Sequence, residues 1–170
     1  MKKFAVLLLT ALLALAAGLG ADVPFCLLGG AARCRGVGEH VTPLPTAGGV
    51  HAVVVFDGLA ADTGEMYRRL DAFIGARPAH DHDAAVRAVA AGDPRAIAAA
   101  LSNDFDALTS SPLAELLRTH GALGAMLTGS GSAAFGIFAD AAAAEACTAV
   151  LGGCVQFARH VVLHSKESET

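Results

Sequence analysis

The sequence predicts an α+β domain in which a small mixed or antiparallel sheet is covered by helices. Three observations carry that expectation. One unmistakable strand, Val50–Phe56, is continuous, β-branched and bounded by glycines. Several alanine-rich segments follow it, each opened by a capping residue. The second half then runs helix, strand, helix, strand, which is the order of a compact α+β unit.

Taken in order, the chain opens with Met1-Lys2-Lys3 and an uncharged stretch from Phe4 to Ala17. A charged start, an apolar run and small residues around Ala14–Ala16 fit an export signal peptide, and the run is short for a membrane span. A buried helix fits the same residues. Pro24–Leu28 reads as a short strand ending at Gly29-Gly30. Ala31–Arg35 and His40–Leu44 read as strand pieces separated by Gly36-Val37-Gly38. After Val50–Phe56, Asp62-Thr63 caps a helix reaching about Ile74, with Met66, Leu70 and Phe73-Ile74 as its apolar stripe. Helices are expected over Ala84–Ala91 and Asp93–Leu101, the second with Pro94 at its first position. Ser111-Pro112 opens another to about Thr119, and Gly121 ends it. Leu123–Met126, a glycine loop, and strand Ala133–Phe138 follow. Asp140 caps a helix to Leu151, Val155–Leu163 is the last strand, and Lys166–Thr170 is a polar tail. The division expected is residues 1–20 as an apolar helix or leader, 21–165 as one domain, and 166–170 as tail.

Composition excludes several classes. The chain has 170 residues and a formal charge of −4, with no basic face to release phosphate counterions, so nucleic acid is not an expected partner. Hydrophobic residues make up 54% and charged residues 16%, which excludes a disordered chain. Alanine supplies 38 of those apolar positions, adding helix propensity and little buried volume. The cysteines, Cys26, Cys34, Cys147 and Cys154, have no zinc-site spacing and apolar or small neighbours, so buried free thiols are expected. His80-Asp81-His82-Asp83 permits metal binding, but its place after Pro78 and before a helix favours a capped turn.

Two segments carry chemistry. Thr128-Gly129-Ser130-Gly131-Ser132 lies between apolar segments, where glycines let a ligand approach the backbone and successive N–H groups form an anion nest. A tight strand-to-strand turn explains it equally. Asp22, in Gly20-Ala-Asp-Val-Pro-Phe25, is either a helix cap or a catalytic base.

Together and in this order, four motifs resemble one family. They are Gly18-Leu-Gly-Ala-Asp-Val-Pro-Phe-Cys-Leu-Leu-Gly-Gly30 with Gly36-Val-Gly-Glu39, Ala61–Asp71, Ser102-Asn-Asp-Phe105, and Leu127-Thr-Gly-Ser-Gly-Ser-Ala-Ala-Phe-Gly136. The family is the 4-diphosphocytidyl-2-C-methyl-D-erythritol kinases of the galactokinase–homoserine kinase–mevalonate kinase superfamily. The match runs from about Leu12 to His164. It implies the superfamily's C-terminal domain, a small, mainly antiparallel, ferredoxin-like sheet covered by helices. It also implies ATP-dependent phosphorylation of the 2-hydroxyl of a cytidine-diphosphate-linked methylerythritol, in non-mevalonate isoprenoid synthesis, with Mg2+ accompanying ATP.

By the same resemblance, Asp22 takes the place of the base on the substrate hydroxyl. Thr63 and Tyr67 match the substrate-binding Thr and aromatic residue, the aromatic stacking on cytosine. Tyr67, the single tyrosine, otherwise reads as a core residue of its helix. Gly129, Ser130, Gly131 and Ser132 match the loop near the transferred phosphate. The family's Pro-x-x-Lys-x-Asn segment, its His-rich substrate segment and its Gly-Gly-Gly-Ser-Ser phosphate loop do not occur in this sequence. The expectation is therefore the back part of such a kinase, retaining the base and little of the ATP site, with weak or no activity alone. A binding module without phosphoryl transfer is the alternative. The resemblance reads Leu12–Gly20 as the helix leading into the Asp22 turn and leaves residues 1–11 unassigned. It implies a cytoplasmic protein with a small-molecule substrate, exported or membrane-attached only if the apolar start is a leader, and it fixes no oligomeric state.

Overall fold

A computed structural model describes residues 15–16, 18–46, 48–59, 61–75 and 79–163. Of the expected apolar helix or leader over residues 1–20, residues 1–14 and 17 lie outside the described residues, as does the expected polar tail 166–170. The chain divides into two compact units, one of residues 1–46 with 165–170, the other of residues 47–164.

In the first unit, helix α1 (Val23–Leu28) leads into a hairpin of β1 (Ala32–Arg35) and β2 (His40–Pro43). The strands pair antiparallel with Cys34 opposite Val41. The expected strand at Pro24–Leu28 is thus a helix. Pro24 sits in its first turn, where a fixed φ suits a helix and the missing N–H costs no hydrogen bond. Its apolar run alternates no further than one turn, so periodicity alone did not distinguish the two. The hairpin turn comes close to the chain before α1: a Cβ on Gly38 would lie 2.6 Å from the Ala21 carbonyl oxygen, at φ +120°. Glu39 closes the turn by accepting from Val37 N–H at 2.7 Å. Backbone N–H groups, its own first and that of Val37 next, hold its carboxyl below the ordinary value.

The second unit holds a four-stranded antiparallel sheet of β3 (Val50–Phe56), β4 (Gly124–Leu127), β5 (Ala133–Phe138) and β6 (Phe157–Leu163), in the spatial order β4-β5-β3-β6. Val53 lies opposite Gly136 on one side and His160 on the other. Between β3 and β4 run α2 (Thr63–Ala72), α3 (His82–Ala91), α4 (Pro94–Ala99), a 3-10 turn (Asp104–Ala107) and α5 (Pro112–Thr119). Helix α6 (Ala141–Leu151) joins β5 to β6. With the helices between β3 and β4 taken as one layer, this is the β-α-β-β-α-β order and pairing of a ferredoxin-like sheet, as expected.

Period-two alternation along β3 sends its side chains to opposite faces. Val53 and Val55 are fully buried with Leu117, Phe138, Ala144, Cys147 and Leu151, under α5 and α6. Val50 and Ala52 pack with Ala88, Ile97 and Ile137, under α3 and α4. Both faces are covered, which is why β3 reads as apolar at every position but His51 rather than as an alternating strand.

The caps explain where the helices start. Asp62, Asp81, Asp93, Ser111 and Asp140 each accept a backbone N–H two or three residues on. The stripe expected on α2 stops short: Leu70 is buried, but the helix ends at Ala72 and Ile74 is fully exposed. The expectation of buried thiols holds for Cys147 alone, since Cys26, Cys34 and Cys154 are exposed. In α1 the exposed side falls at Cys26, and Cys34 is exposed on the short hairpin. Burial pushes the Cys147 thiol up.

Candidate functional site

The glycine loop is the turn between β4 and β5, so the structural reading of Thr128–Ser132 as a strand-to-strand turn holds. It is an unusual turn. Gly129 (φ +53°), Gly131 (φ +114°) and Ser132 (φ +68°) all adopt left-handed conformations. Ser132 is the one non-glycine among the described residues to do so, a strained state that persists only where its surroundings fix it. Thr128 N–H donates to the Ala133 carbonyl at 3.0 Å, and Gly131 N–H to the Thr128 carbonyl at 3.0 Å. The N–H groups of Gly129, Ser130 and Ser132 make no hydrogen bond among the described residues. A Cβ on Gly129 would meet no atom within 4 Å. The loop thus presents open backbone donors, the chemistry that holds a phosphate oxygen.

Two neighbours hold this loop. Thr63, the first residue of α2, places its Oγ1 2.9 Å from Ser130 Oγ, so the structure brings together two residues singled out in sequence far apart. Asn103 does more. Its side-chain amide donates to the Gly129 carbonyl at 2.8 Å and the Leu127 carbonyl at 3.2 Å, while its Oδ1 accepts from Phe105 N–H at 3.0 Å. The same group caps the 3-10 turn and ties it to the loop.

Tyr67 lies one turn along α2 from Thr63. It is 54% exposed, which removes the reading of it as a core residue. Its ring and that of Phe105 meet in a T-shaped pair at 5.2 Å between centroids. A cavity of about 540 Å³ is lined by Tyr67, Asn103, Phe105 and Gly129, with His80 and Asp104 on its wall. In the 3-10 turn, desolvation raises the Asp106 carboxyl above its ordinary value, and the charge of Arg118 opposes the rise.

Asp22 belongs to the first unit. It occupies the N-cap position of α1 yet makes no side-chain cap hydrogen bond, and it is exposed. Its carboxylate is therefore not consumed in holding the helix. The His80–Asp83 run resolves as a capped turn, with Asp81 as N-cap of α3. Among the described residues no group of three His, Cys, Asp or Glu side chains is arranged to hold a metal ion. No described helix is long and apolar enough to cross a membrane.

Asn103 and His80 are the site residues that sequence reasoning missed. Asn103 stood in a quoted motif without a role, because its partners lie on a distant hairpin. The one local signal was its place as an Asn before a short acidic turn, a capping signature. His80 stood in a run read only for metal binding or capping.

Residues 85–153 of the chain match the family described as GHMP kinases C terminal. More particularly, its similarity lies with 4-diphosphocytidyl-2-C-methyl-D-erythritol kinases, over their C-terminal part. It is 39% identical over 129 residues to the one from Caldicellulosiruptor saccharolyticus, covering 72% of this chain and 44% of the relative. It is 41% identical over 149 residues to the one from Gloeobacter violaceus, covering 82% of this chain and 49% of the relative. A crystal structure of 4-(cytidine 5'-diphospho)-2C-methyl-D-erythritol kinase superposes with a TM-score of 0.73 at 34% identity, covering 91% of this chain and 57% of the other. The chain spans about half the length of the curated relatives it matches.

Proposed function

We propose that residues 21–165 are the C-terminal portion of a cytoplasmic kinase that moves the γ-phosphate of ATP to the 2-hydroxyl of 4-diphosphocytidyl-2-C-methyl-D-erythritol. Asp22 takes the hydroxyl proton as the oxygen forms its bond to phosphorus, the β–γ bridging P–O bond breaks, and ADP leaves. Thr63 and Tyr67 hold the substrate, Tyr67 by stacking on the cytosine ring. Gly129, Ser130, Gly131 and Ser132 form the loop at the transferred phosphate, with the open N–H groups of Gly129, Ser130 and Ser132 as its donors and Gly131 N–H closing the turn on Thr128. These residues suit a phosphate, since open donors in left-handed backbone form an anion nest. Mg2+ accompanying ATP would offset phosphate charge and would be held chiefly through phosphate oxygens and water, its usual preference.

The observation that carries this reading is the Thr63–Ser130 contact at 2.9 Å. It joins the substrate helix to the phosphate loop, the arrangement that in-line transfer needs.

Binding is the sharper test for this chain, because the lysine segment and the Gly-Gly-Gly-Ser-Ser loop of the resembling kinases do not occur in its sequence. Calorimetry should detect cytidine 5'-diphosphate. Tyr67→Ala should weaken that binding about tenfold or more, as expected for one lost base–aromatic stack. Asp22→Asn should leave binding intact and abolish whatever turnover a coupled ADP assay detects with the full substrate. Absence of cytidine diphosphate binding, or binding indifferent to Tyr67, would sink the proposal. Binding without turnover is the result a non-catalytic module would give.

A further inference from the structure

His80 has no part in the reading above, yet its contacts lead to the glycine loop. Its Nε2 lies 2.7 Å from Asp104 Oδ1. An ionised carboxylate only accepts, so Nε2 carries the proton and donates. The other ring nitrogen, Nδ1, is buried and meets no hydrogen-bond partner among the described residues. His82, at the start of α3, lies 5.8 Å from His80 between ring centroids, and Tyr67 lines the same cavity.

Asp104 follows Asn103 in the chain and opens the 3-10 turn. A 3-10 turn this short is weakly held by its own hydrogen bonds, so side chains anchored outside it set its orientation. Asn103 anchors one side to the Leu127 and Gly129 carbonyls. Asp104 anchors the other to His80. Phe105, next in line, meets Tyr67 edge-on. The cavity beside the turn leaves it room to move if an anchor is lost.

We propose that His80 is a positioning residue: through Asp104 it fixes the turn that holds both the glycine loop and Tyr67. This inference rests on the reading of that loop and Tyr67 as a binding site, but the coupling itself is measurable without any ligand. The experiment is amide NMR of the full chain, comparing His80→Phe, which keeps ring bulk without a donor, with His80→Gln, which keeps a donor.

In His80→Phe the amides of Tyr67, Gly129, Ser130 and Gly131 should shift, and cytidine 5'-diphosphate should bind about tenfold more weakly, the loss expected when one charge-assisted hydrogen bond is removed. His80→Gln should restore both. Asp104→Ala removes the same contact from a half-exposed position and should reproduce the Phe variant even if that variant folds poorly. Combining Asp104→Ala with His80→Phe should add nothing, since both act on one contact. Loop amides that ignore Asp104→Ala, or a Gln variant no better than Phe, would overturn the proposal. If the ligand binds neither parent nor variants, the functional reading fails, and the amide comparison still decides the coupling.

Discussion

At the scale of single residues, Asn103 bears the most. Three hydrogen bonds converge on one side chain, two to carbonyls and one from an N–H. Asn103→Ala should cost about 2 kcal/mol in urea unfolding, because partly buried backbone groups lose their partners. Asn103→Asp should be no milder. It keeps the acceptor for Phe105 N–H but sets a carboxylate against two carbonyl oxygens. An Asp variant as stable as the parent would show that the amide donors do not matter. Such contacts were not legible in the sequence. The motif residues Thr63, Tyr67 and Gly129–Ser132 could be picked out by type and order, but which atoms meet depends on a hairpin arriving from elsewhere in the chain.

At the scale of elements, two glycines show two separate demands. Gly129 has room for a side chain but a left-handed φ of +53°. Gly136, inside β5, has no such conformation. A Cβ there would lie 2.9 Å from Ala122 Cβ and 3.3 Å from Leu117 Cβ, where α5 and its following turn press on the sheet. Gly136→Val should therefore lower stability by about 1–3 kcal/mol through overpacking, read as a fall in Tm, whereas Gly129→Ala should cost about 1 kcal/mol through backbone strain alone. A Gly136→Val variant melting with the parent would mean that α5 can retreat. Helix starts were the most legible elements, since each capping Asp or Ser is a local signal read by the next three residues. Helix α1 was not, because six residues with a proline show no periodicity that separates helix from strand.

At the scale of the whole molecule, element order was readable and strand order was not. The sequence of strand, helices, two strands, helix and strand pointed to an antiparallel sheet under helices. That β3 sits between β5 and β6 is a matter of long-range pairing that no local pattern records. Burial follows the same division. Apolar neighbours suggested that all four cysteines are inside, but Cys147 alone faces the core under α6. In the native protein a thiol reagent such as DTNB should react with Cys26, Cys34 and Cys154 promptly and reach Cys147 only on unfolding, its buried thiol being less ionised as well as hard to reach. Four equally fast thiols would contradict this core.

The position of β3 also sets a timetable. It is the first strand of its sheet to leave the ribosome, yet both its neighbours, β5 and β6, come from the end of the unit. Until they emerge, a continuous run of valines with two unpaired edges waits in the nascent chain. Sheet closure is then a late, non-local event, the kind that slows folding and exposes a chain to association with its copies. In the folded sheet α3, α4 and α5 pack on the faces of that strand, but its edges are met by β5 and β6.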